Sequence, residues 1–213
     1  MNYRLYYYPG NASLAPHVLL EEAGCEFELE LVDRAALQQK SPAYLRLNPN
    51  GRIPTLVRGE MVLFEAAAIC LHIADHHPEA RLIPPLGSAA RSHFYKWLVF
   101  LTNTVQPAYM AFRYPEQYTT EPAQTEGVRQ AAVARAARAF EVIEEALTPG
   151  PFVLGAEYSA CDAYLFMIAW WAERLPQPPA RLPRLRACLE AVAARPATQR
   201  ACRAEGIAVA FRS

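Results

Sequence analysis

Asn48-Pro49-Asn50-Gly51-Arg52-Ile53-Pro54-Thr55-Leu56-Val57 is the stretch on which the reading of this chain turns. Pro54 stands at the mouth of a strand and cannot donate a ladder hydrogen bond. The backbone just before it is therefore left free to pair with something else. A ligand is one such partner, and a plain turn before an edge strand is the alternative. Eleven residues after Pro54, Glu65 heads an Ala-rich helical run.

Working outward, residues 3–8 (Tyr-Arg-Leu-Tyr-Tyr-Tyr) read as a strand entering a loop at Pro9-Gly10. Ser13 through Ala23 has a helical pattern, opened by a capping-type Ser and stopped by Gly24. Phe27 to Val32 alternates as a second strand. A less regular segment with a short helix near 41–47 leads to strands at Pro54–Arg58 and Met61–Phe64, joined across Gly59-Glu60. Helix returns from Glu65 to about His77. The order βαβ then ββα predicts one parallel pair with a crossover helix and one antiparallel pair. Residues 78–87 form a Pro-rich linker, which divides the chain into domains at 1–77 and 88–213. Beyond it the pattern is helical. Phe94, Trp97, Leu98, Leu101 and Val105 recur at three- and four-residue steps, as do Val128, Ala132, Ala136, Phe140, Ile143 and Leu147. Pro107 is expected to end or kink the first of these helices. Ala163–Ala172 is apolar nearly all round, as a central helix should be, and Ser159-Ala160-Cys161-Asp162 supplies its capping box.

Lys plus Arg and Asp plus Glu number 21 each, so the formal net charge is zero. That balance offers nothing to nucleic acid or an anionic membrane. The N-terminus has no export signal pattern, and the longest apolar run is far short of the ~20 residues that a membrane span needs. Cys25, Cys70, Cys161, Cys188 and Cys202 are odd in number, with no Cys-x-x-Cys, which fits a reducing, cytoplasmic setting. His72 and His76 stand four apart on a helix without a third ligand, so they read as exposed helix-end histidines and no metal is expected. Trp170 and Trp171 are expected in the core.

Four segments resemble the cytosolic glutathione transferases, in particular the bacterial beta-class members, in order and spacing. They are Tyr7-Tyr8-Pro9-Gly10-Asn11-Ala12-Ser13-Leu14-Ala15-Pro16-His17, Asn48 to Pro54, Glu65-Ala66-Ala67-Ala68-Ile69, and Ser159 to Phe166. The resemblance covers essentially the whole chain. It implies an α/β thioredoxin-like N-terminal domain (βαβ-ββα) with an all-α C-terminal helical bundle, a homodimer, and a transferase of the detoxification type with glutathione as co-substrate. It also implies a cis bond between Ile53 and Pro54, with the Ile53 amide and carbonyl facing the cysteinyl backbone of glutathione, as in strand addition. Glu65 would meet the α-amino group, and the amides of Ala66 and Ala67 the γ-glutamyl carboxylate. Most relatives have Ser or Thr where this chain has Ala66. Lys40 and Arg52 are candidates for the glycine carboxylate.

Conjugation needs a thiolate, and a free thiol with pKa near ~8.5 is mostly protonated at neutral pH. The loop Asn11-Ala12-Ser13 is where the family places the stabilising donor. Beta-class relatives carry Cys at the Ala12 position and a His-Lys pair where this chain reads Gln106-Pro107, so mixed-disulfide chemistry at position 12 is excluded. Ser13 is the first candidate for the sulfur donor, Asn11 the second and Tyr7 the third. Asn103, Gln106, Tyr109, Phe112, Arg113 and Tyr114, near Pro107, are candidates for a hydrophobic electrophile pocket between the domains. The leading reading is a glutathione transferase. The other is a glutathione-binding regulatory or ligand-binding protein with little turnover. Thiol-disulfide chemistry lacks a sulfur nucleophile.

Overall fold

The structure is a computed structural model that describes residues 2–147, 150–209 and 211. The chain forms two compact units, one running to Ile83 and rejoined by Ala193–Val209, the other running from Pro84 to Val192.

The first unit is built on a four-stranded sheet in the order β2-β1-β3-β4, with β1 Tyr3–Tyr7, β2 Phe27–Leu31, β3 Thr55–Arg58 and β4 Met61–Phe64. The β1–β2 pair is parallel, and the β1–β3 and β3–β4 pairs are antiparallel. This is the mixed topology that βαβ followed by ββα demands, because a two-residue turn can only reverse the chain whereas a helix can return it in parallel. Leu5 of β1 is aligned with both Leu29 and Leu56, and Leu5 and Leu56 are fully buried. Helices α1 (Leu14–Ala23) and α3 (Ala66–His76) pack together, burying Leu14, Val18, Leu19 and Leu20 from one and Ile69, Cys70 and Ile73 from the other. A single-turn helix, α2 (Pro42–Leu45), is opened by Ser41, whose hydroxyl accepts from the Tyr44 amide. Gly24 closes α1 at φ 62°, a conformation that a side chain disfavours.

The return of 193–209 differs from the expected division, which placed all of 88–213 in the helical domain. Helix α9 (Pro196–Ala204) lies against α1. Arg195 Nη2 donates to Glu22 Oε2 at 2.8 Å, and Arg200 Nε donates to Glu21 Oε2 at 2.6 Å. Ala197, Thr198 and Ala201 are buried at the same contact. These partners lie about 175 residues apart, so no local pattern announces them.

The second unit is helical: α4 Ala89–Phe100, α5 Gln106–Arg113, α6 Thr125–Ala146, α7 Ala160–Ala172 and α8 Pro183–Ala193. Between α4 and α5 the chain makes a π-helical turn, Leu101–Val105, in which the Gln106 amide donates to the Leu101 carbonyl. Pro107 was expected to break or kink the helix here. The interruption takes the form of this wider turn, which shifts the bonding register ahead of the proline, so the missing N–H falls in the first turn of α5. Helix α7 is buried along nearly its whole length. Its start is closed as the sequence indicates. Asp162 accepts from the Ser159 amide at 2.8 Å and hydroxyl at 2.9 Å, and its other oxygen accepts from the Val153 amide at 2.7 Å. Burial pushes the Asp162 carboxyl up to about 6, against the opposing pull of the Val153 and Ser159 donors. Glu144 of α6 similarly accepts the first amides of α8, from Arg184 at 3.1 Å and Leu185 at 2.7 Å.

All five cysteines are free thiols. Burial raises those of Cys70 and Cys188 well above the ordinary range and that of Cys202 to about 11, so they are packing groups. Trp171 is buried, and Trp170 is only half-buried. His76 is exposed as expected, but His72 is half-buried beneath it, their rings 3.9 Å apart, and sits edge-on to Tyr3. Among the described residues no group of three or more His, Cys, Asp or Glu is placed to hold a metal, and no helix is long and apolar enough to cross a membrane.

Candidate functional site

The sheet register assembles the candidate site. Thr55 is aligned with Tyr6 on one side and Phe64 on the other. Residues one step beyond, toward Tyr7-Tyr8 on β1, Pro54-Ile53 before β3 and Glu65 after β4, therefore emerge at the same end of the sheet. Three segments separated in sequence meet there because two antiparallel pairings share one strand.

The loop before β3 is held from below. The Tyr44 hydroxyl donates to the Arg52 carbonyl at 2.8 Å and receives the Thr55 hydroxyl at 3.0 Å. Asn48 Nδ2 donates to the same carbonyl at 2.8 Å, while Asn48 Oδ1 accepts from the Asn50 amide at 3.1 Å. Gly51 turns the chain at φ 58°, and a Cβ there would come within 2.9 Å of the Gln39 carbonyl. The Ile53 side chain is buried with Val32 and Tyr44, flanked by Tyr6 and Tyr8. Its backbone is the opposite case. The Ile53–Pro54 bond is cis, and neither the Ile53 N–H nor its C=O bonds to any described residue. Tyr44 and Asn48 are the residues that sequence reasoning missed. Asn48 had a visible signal in the Asn-Pro-Asn-Gly run, whereas Tyr44 had none.

Glu65 is the residue that precedes α3, with φ 70° and ψ 112°. A non-glycine residue pays for this backbone conformation because its Cβ crowds the carbonyl. Its side chain is exposed, caps nothing, and pairs with no described residue. The first amides of α3, at Ala66 and Ala67, lack an acceptor within the helix, and this end carries the positive pole of the helix dipole. Strain retained beside unsatisfied donors is characteristic of a binding site.

The loop after β1 separates the three sulfur-donor candidates. Ser13 was expected first, as cap or donor. It is fully buried with αR backbone and makes no cap bond. Its hydroxyl instead donates to the Tyr8 carbonyl at 3.3 Å and accepts from the Tyr8 amide at 3.4 Å. Asn11 is half-buried; its Oδ1 accepts from the Ala12 amide at 2.7 Å, and its Nδ2 donates to no described residue. Tyr7 is half-buried and edge-on to His17, the centroids 6.5 Å apart. A further tie fixes this loop. Glu205 Oε2 accepts from the Gly10 amide at 2.7 Å, and Oε1 lies 2.8 Å from His17 Nδ1, both side chains buried. Lys40 and Arg52 are exposed; Lys40 Nζ donates to the Asn50 carbonyl at 3.3 Å.

In the second unit the electrophile candidates divide. Asn103 is exposed on the π-helical turn. Gln106 is half-buried, its Oε1 accepting from the Tyr164 hydroxyl at 2.7 Å. Tyr109 is nearly fully buried and stacks on Trp171, so it packs between α5 and α7 more than it lines an open surface. The Phe112 carbonyl accepts from Arg129 Nη1, and Arg113 is exposed with its guanidinium over Tyr114.

Known proteins share the fold described above. The family described as "Glutathione S-transferase, N-terminal domain" matches residues 1–75, and "Glutathione S-transferase, C-terminal domain" matches 126–191. The chain is 31% identical over 204 residues to glutathione S-transferase GST-4.5 of Xanthomonas campestris, covering 96% of this chain and 99% of that one. Its fold is similar to the crystal structure of a glutathione transferase from Methylococcus capsulatus at TM-score 0.83 and 37% identity, covering 96% of this chain and 98% of that one. It is also similar to a sphingomonad glutathione S-transferase complexed with glutathione at TM-score 0.82 and 32% identity, covering 96% of this chain and all of that one. The chain belongs to the glutathione S-transferase family.

Proposed function

We propose that this protein binds glutathione along the Ile53 edge and activates its thiol for attack on a small hydrophobic electrophile. The observation that carries the reading is the open Ile53 backbone aligned with the strained, unpaired Glu65 at one end of the sheet. Ile53 N–H and C=O take the cysteinyl backbone as an added strand, with Pro54 keeping that edge open. Glu65 takes the α-amino group, and the Ala66 and Ala67 amides take the γ-glutamyl carboxylate. Arg52 and Lys40 serve the glycine carboxylate.

For the sulfur, Asn11 is placed ahead of Ser13, because its Nδ2 is unengaged while the Ser13 hydroxyl is buried against Tyr8; Tyr7 stands third. A donor at the sulfur favours the thiolate. The thiolate then forms a carbon–sulfur bond as the leaving group departs with the electron pair, and the thiol proton passes to water. Ala12 in place of the beta-class cysteine confines the site to this chemistry. Asn103, Gln106, Phe112, Arg113 and Tyr114 are assigned to the electrophile, with Tyr109 supporting them. The protein acts as a cytoplasmic homodimer without a metal.

The test pairs calorimetric glutathione binding with conjugation of 1-chloro-2,4-dinitrobenzene. Wild type binds and turns over, and Glu65→Ala loses binding. Unchanged affinity in Glu65→Ala overturns the site. Tight binding without turnover across aryl halides, epoxides and enones assigns the protein to ligand binding alone.

A further inference from the structure

Arg113 and Arg174 of the second unit stand without an acid, as Arg135 and Arg181 do, and are set apart by the aromatic ring that each one covers. Neither Arg113 nor Arg174 forms an ion pair with any described residue, although the chain is otherwise well supplied with Arg–Glu pairs such as Arg138–Glu141 and Arg186–Glu190. The helix contacts bring the two together. Gln106 meets Tyr164 and, further along both helices, Tyr109 meets Trp171, so α5 and α7 ascend in the same direction. Arg113 lies four residues beyond Tyr109 on the same face of α5. Arg174 lies three beyond Trp171, just past the end of α7, where its amide still donates to the Trp171 carbonyl. Both cations thus project from the same end of the Tyr109–Trp171 stack.

Each guanidinium is also laid over an aromatic ring, Arg113 at 4.9 Å from the Tyr114 centroid and Arg174 at 5.4 Å from that of Trp170. Such stacking orients the planar fork; Arg174 hydrogen-bonds the Tyr109 hydroxyl, and the remaining N–H groups of the two forks are left for a planar anion. The surroundings agree. Burial raises the Tyr109 hydroxyl, the charges of Arg174 and then Arg113 and a hydrogen bond from Arg174 pull it down, and Tyr114 adds to the rise.

We propose that Arg113 and Arg174 form an anion subsite beside the Tyr109–Trp171 stack, selecting electrophiles that carry a carboxylate or sulfonate on an aromatic or conjugated frame. This rests on the assignment of the α5 residues to the electrophile. The half-buried rings of Tyr114 and Trp170 hold the apolar frame, and the two guanidinium groups take the anion through charge-assisted hydrogen bonds. Arginines at helix C-termini also complement the helix dipoles. That role alone alters stability and leaves the choice between a neutral and an anionic substrate untouched.

The experiment compares kcat/KM for 4-chloro-3,5-dinitrobenzoate and the neutral 1-chloro-2,4-dinitrobenzene, with glutathione as co-substrate. In both reactions the thiolate displaces chloride, one carbon–sulfur bond forming as one carbon–chlorine bond breaks. Arg174→Gln is expected to lower the anionic-to-neutral ratio about 5-fold or more, Arg113→Gln with Arg174→Gln about 20-fold, and Arg174→Lys less than Arg174→Gln. Added salt is expected to shrink the wild-type preference. A ratio unchanged in the double variant, or a parallel loss for both substrates, overturns the subsite. Should wild type turn over neither reagent, the transferase reading is decided by the epoxides and enones of the wider panel. The subsite is then decided by calorimetric binding of the dinitrobenzoate, which Arg174→Gln must weaken about 5-fold for it to stand and which equal affinity overturns.

Discussion

The two helix starts that frame this protein, at α3 and at α7, are built from opposite choices. At α7 the capping box is complete: Asp162 accepts from the half-buried Val153, and from the buried Ser159 amide and hydroxyl. At α3 the preceding residue, Glu65, caps nothing, holds a positive φ, and is exposed beside amides that have no internal acceptor. One start is closed and serves folding. The other is left open at a conformational cost and is suited to a ligand that supplies the missing partners. A helix N-terminus therefore reveals its use by whether its donors are already engaged.

The contrast is most severely tested at Asp162. Asp162→Ala leaves these three donors unpartnered and is expected to lower unfolding stability by about 4 kcal/mol, read by denaturant titration. A loss under about 1 kcal/mol breaks the view of α7 as a folding device.

A pH arm sharpens the same site. The Asp162 carboxyl titrates near 6 in the folded protein, above its ordinary range, so between about pH 4 and 6 the folded state binds more protons than the unfolded chain. This group therefore adds stability at low pH that is lost as pH rises through about 6, on the order of 3 kcal/mol in full. The stability of wild type minus that of Asp162→Asn should fall as pH goes from 4 to 7, and a constant difference refutes the assignment.

At α3 the expected signature is reversed. Glu65→Ala weakens glutathione about 10- to 100-fold, by loss of one charge-assisted bond. Glu65→Gly weakens it equally yet leaves the fold at least as stable, with a gain of about 1 kcal/mol from the relieved backbone. If both variants instead lower unfolding stability by about 2 kcal/mol or more while glutathione affinity is unchanged, Glu65 is a folding residue and the two helix starts are alike.

The smallest effect concerns the loop after β1. Ser13→Ala removes a hydroxyl bonded only to Tyr8 and should cost about 1 kcal/mol of stability while changing the conjugation rate less than about 3-fold. Asn11→Ala should lower that rate about 10-fold or more at similar stability. The reverse pattern restores Ser13 as the sulfur donor.

The strands, the crossover topology and the capped central helix were legible because each rests on local chemistry. Proline at a strand mouth, alternation, three-and-four periodicity and Ser-x-x-Asp all act within a few residues. The Ile53 edge could be read for the same reason, and so could the position of Glu65. The strain at Glu65 could not, because a φ of 70° follows from how β4 and α3 are joined. Nor could the fate of Ser13, whose cap-like setting was overridden by the backbone of Tyr8 folding back upon it. The α-helix is interrupted at Pro107 as expected, but the form of the interruption was not legible, because it depends on the preceding turn widening into a π-helix.

By itself, then, the sequence determined the elements, their order and the open edge of the candidate site, since these depend on neighbours in the chain. Only the tertiary structure decided which polar groups are already engaged. It joined Glu205 to Gly10 and His17, returned α9 to α1, and set the charges of Arg113 and Arg174 both within reach of Tyr109. The physical reason is that a hydrogen-bond donor or a charge is satisfied by proximity in space, and that proximity is set by packing between segments with no local relation in sequence.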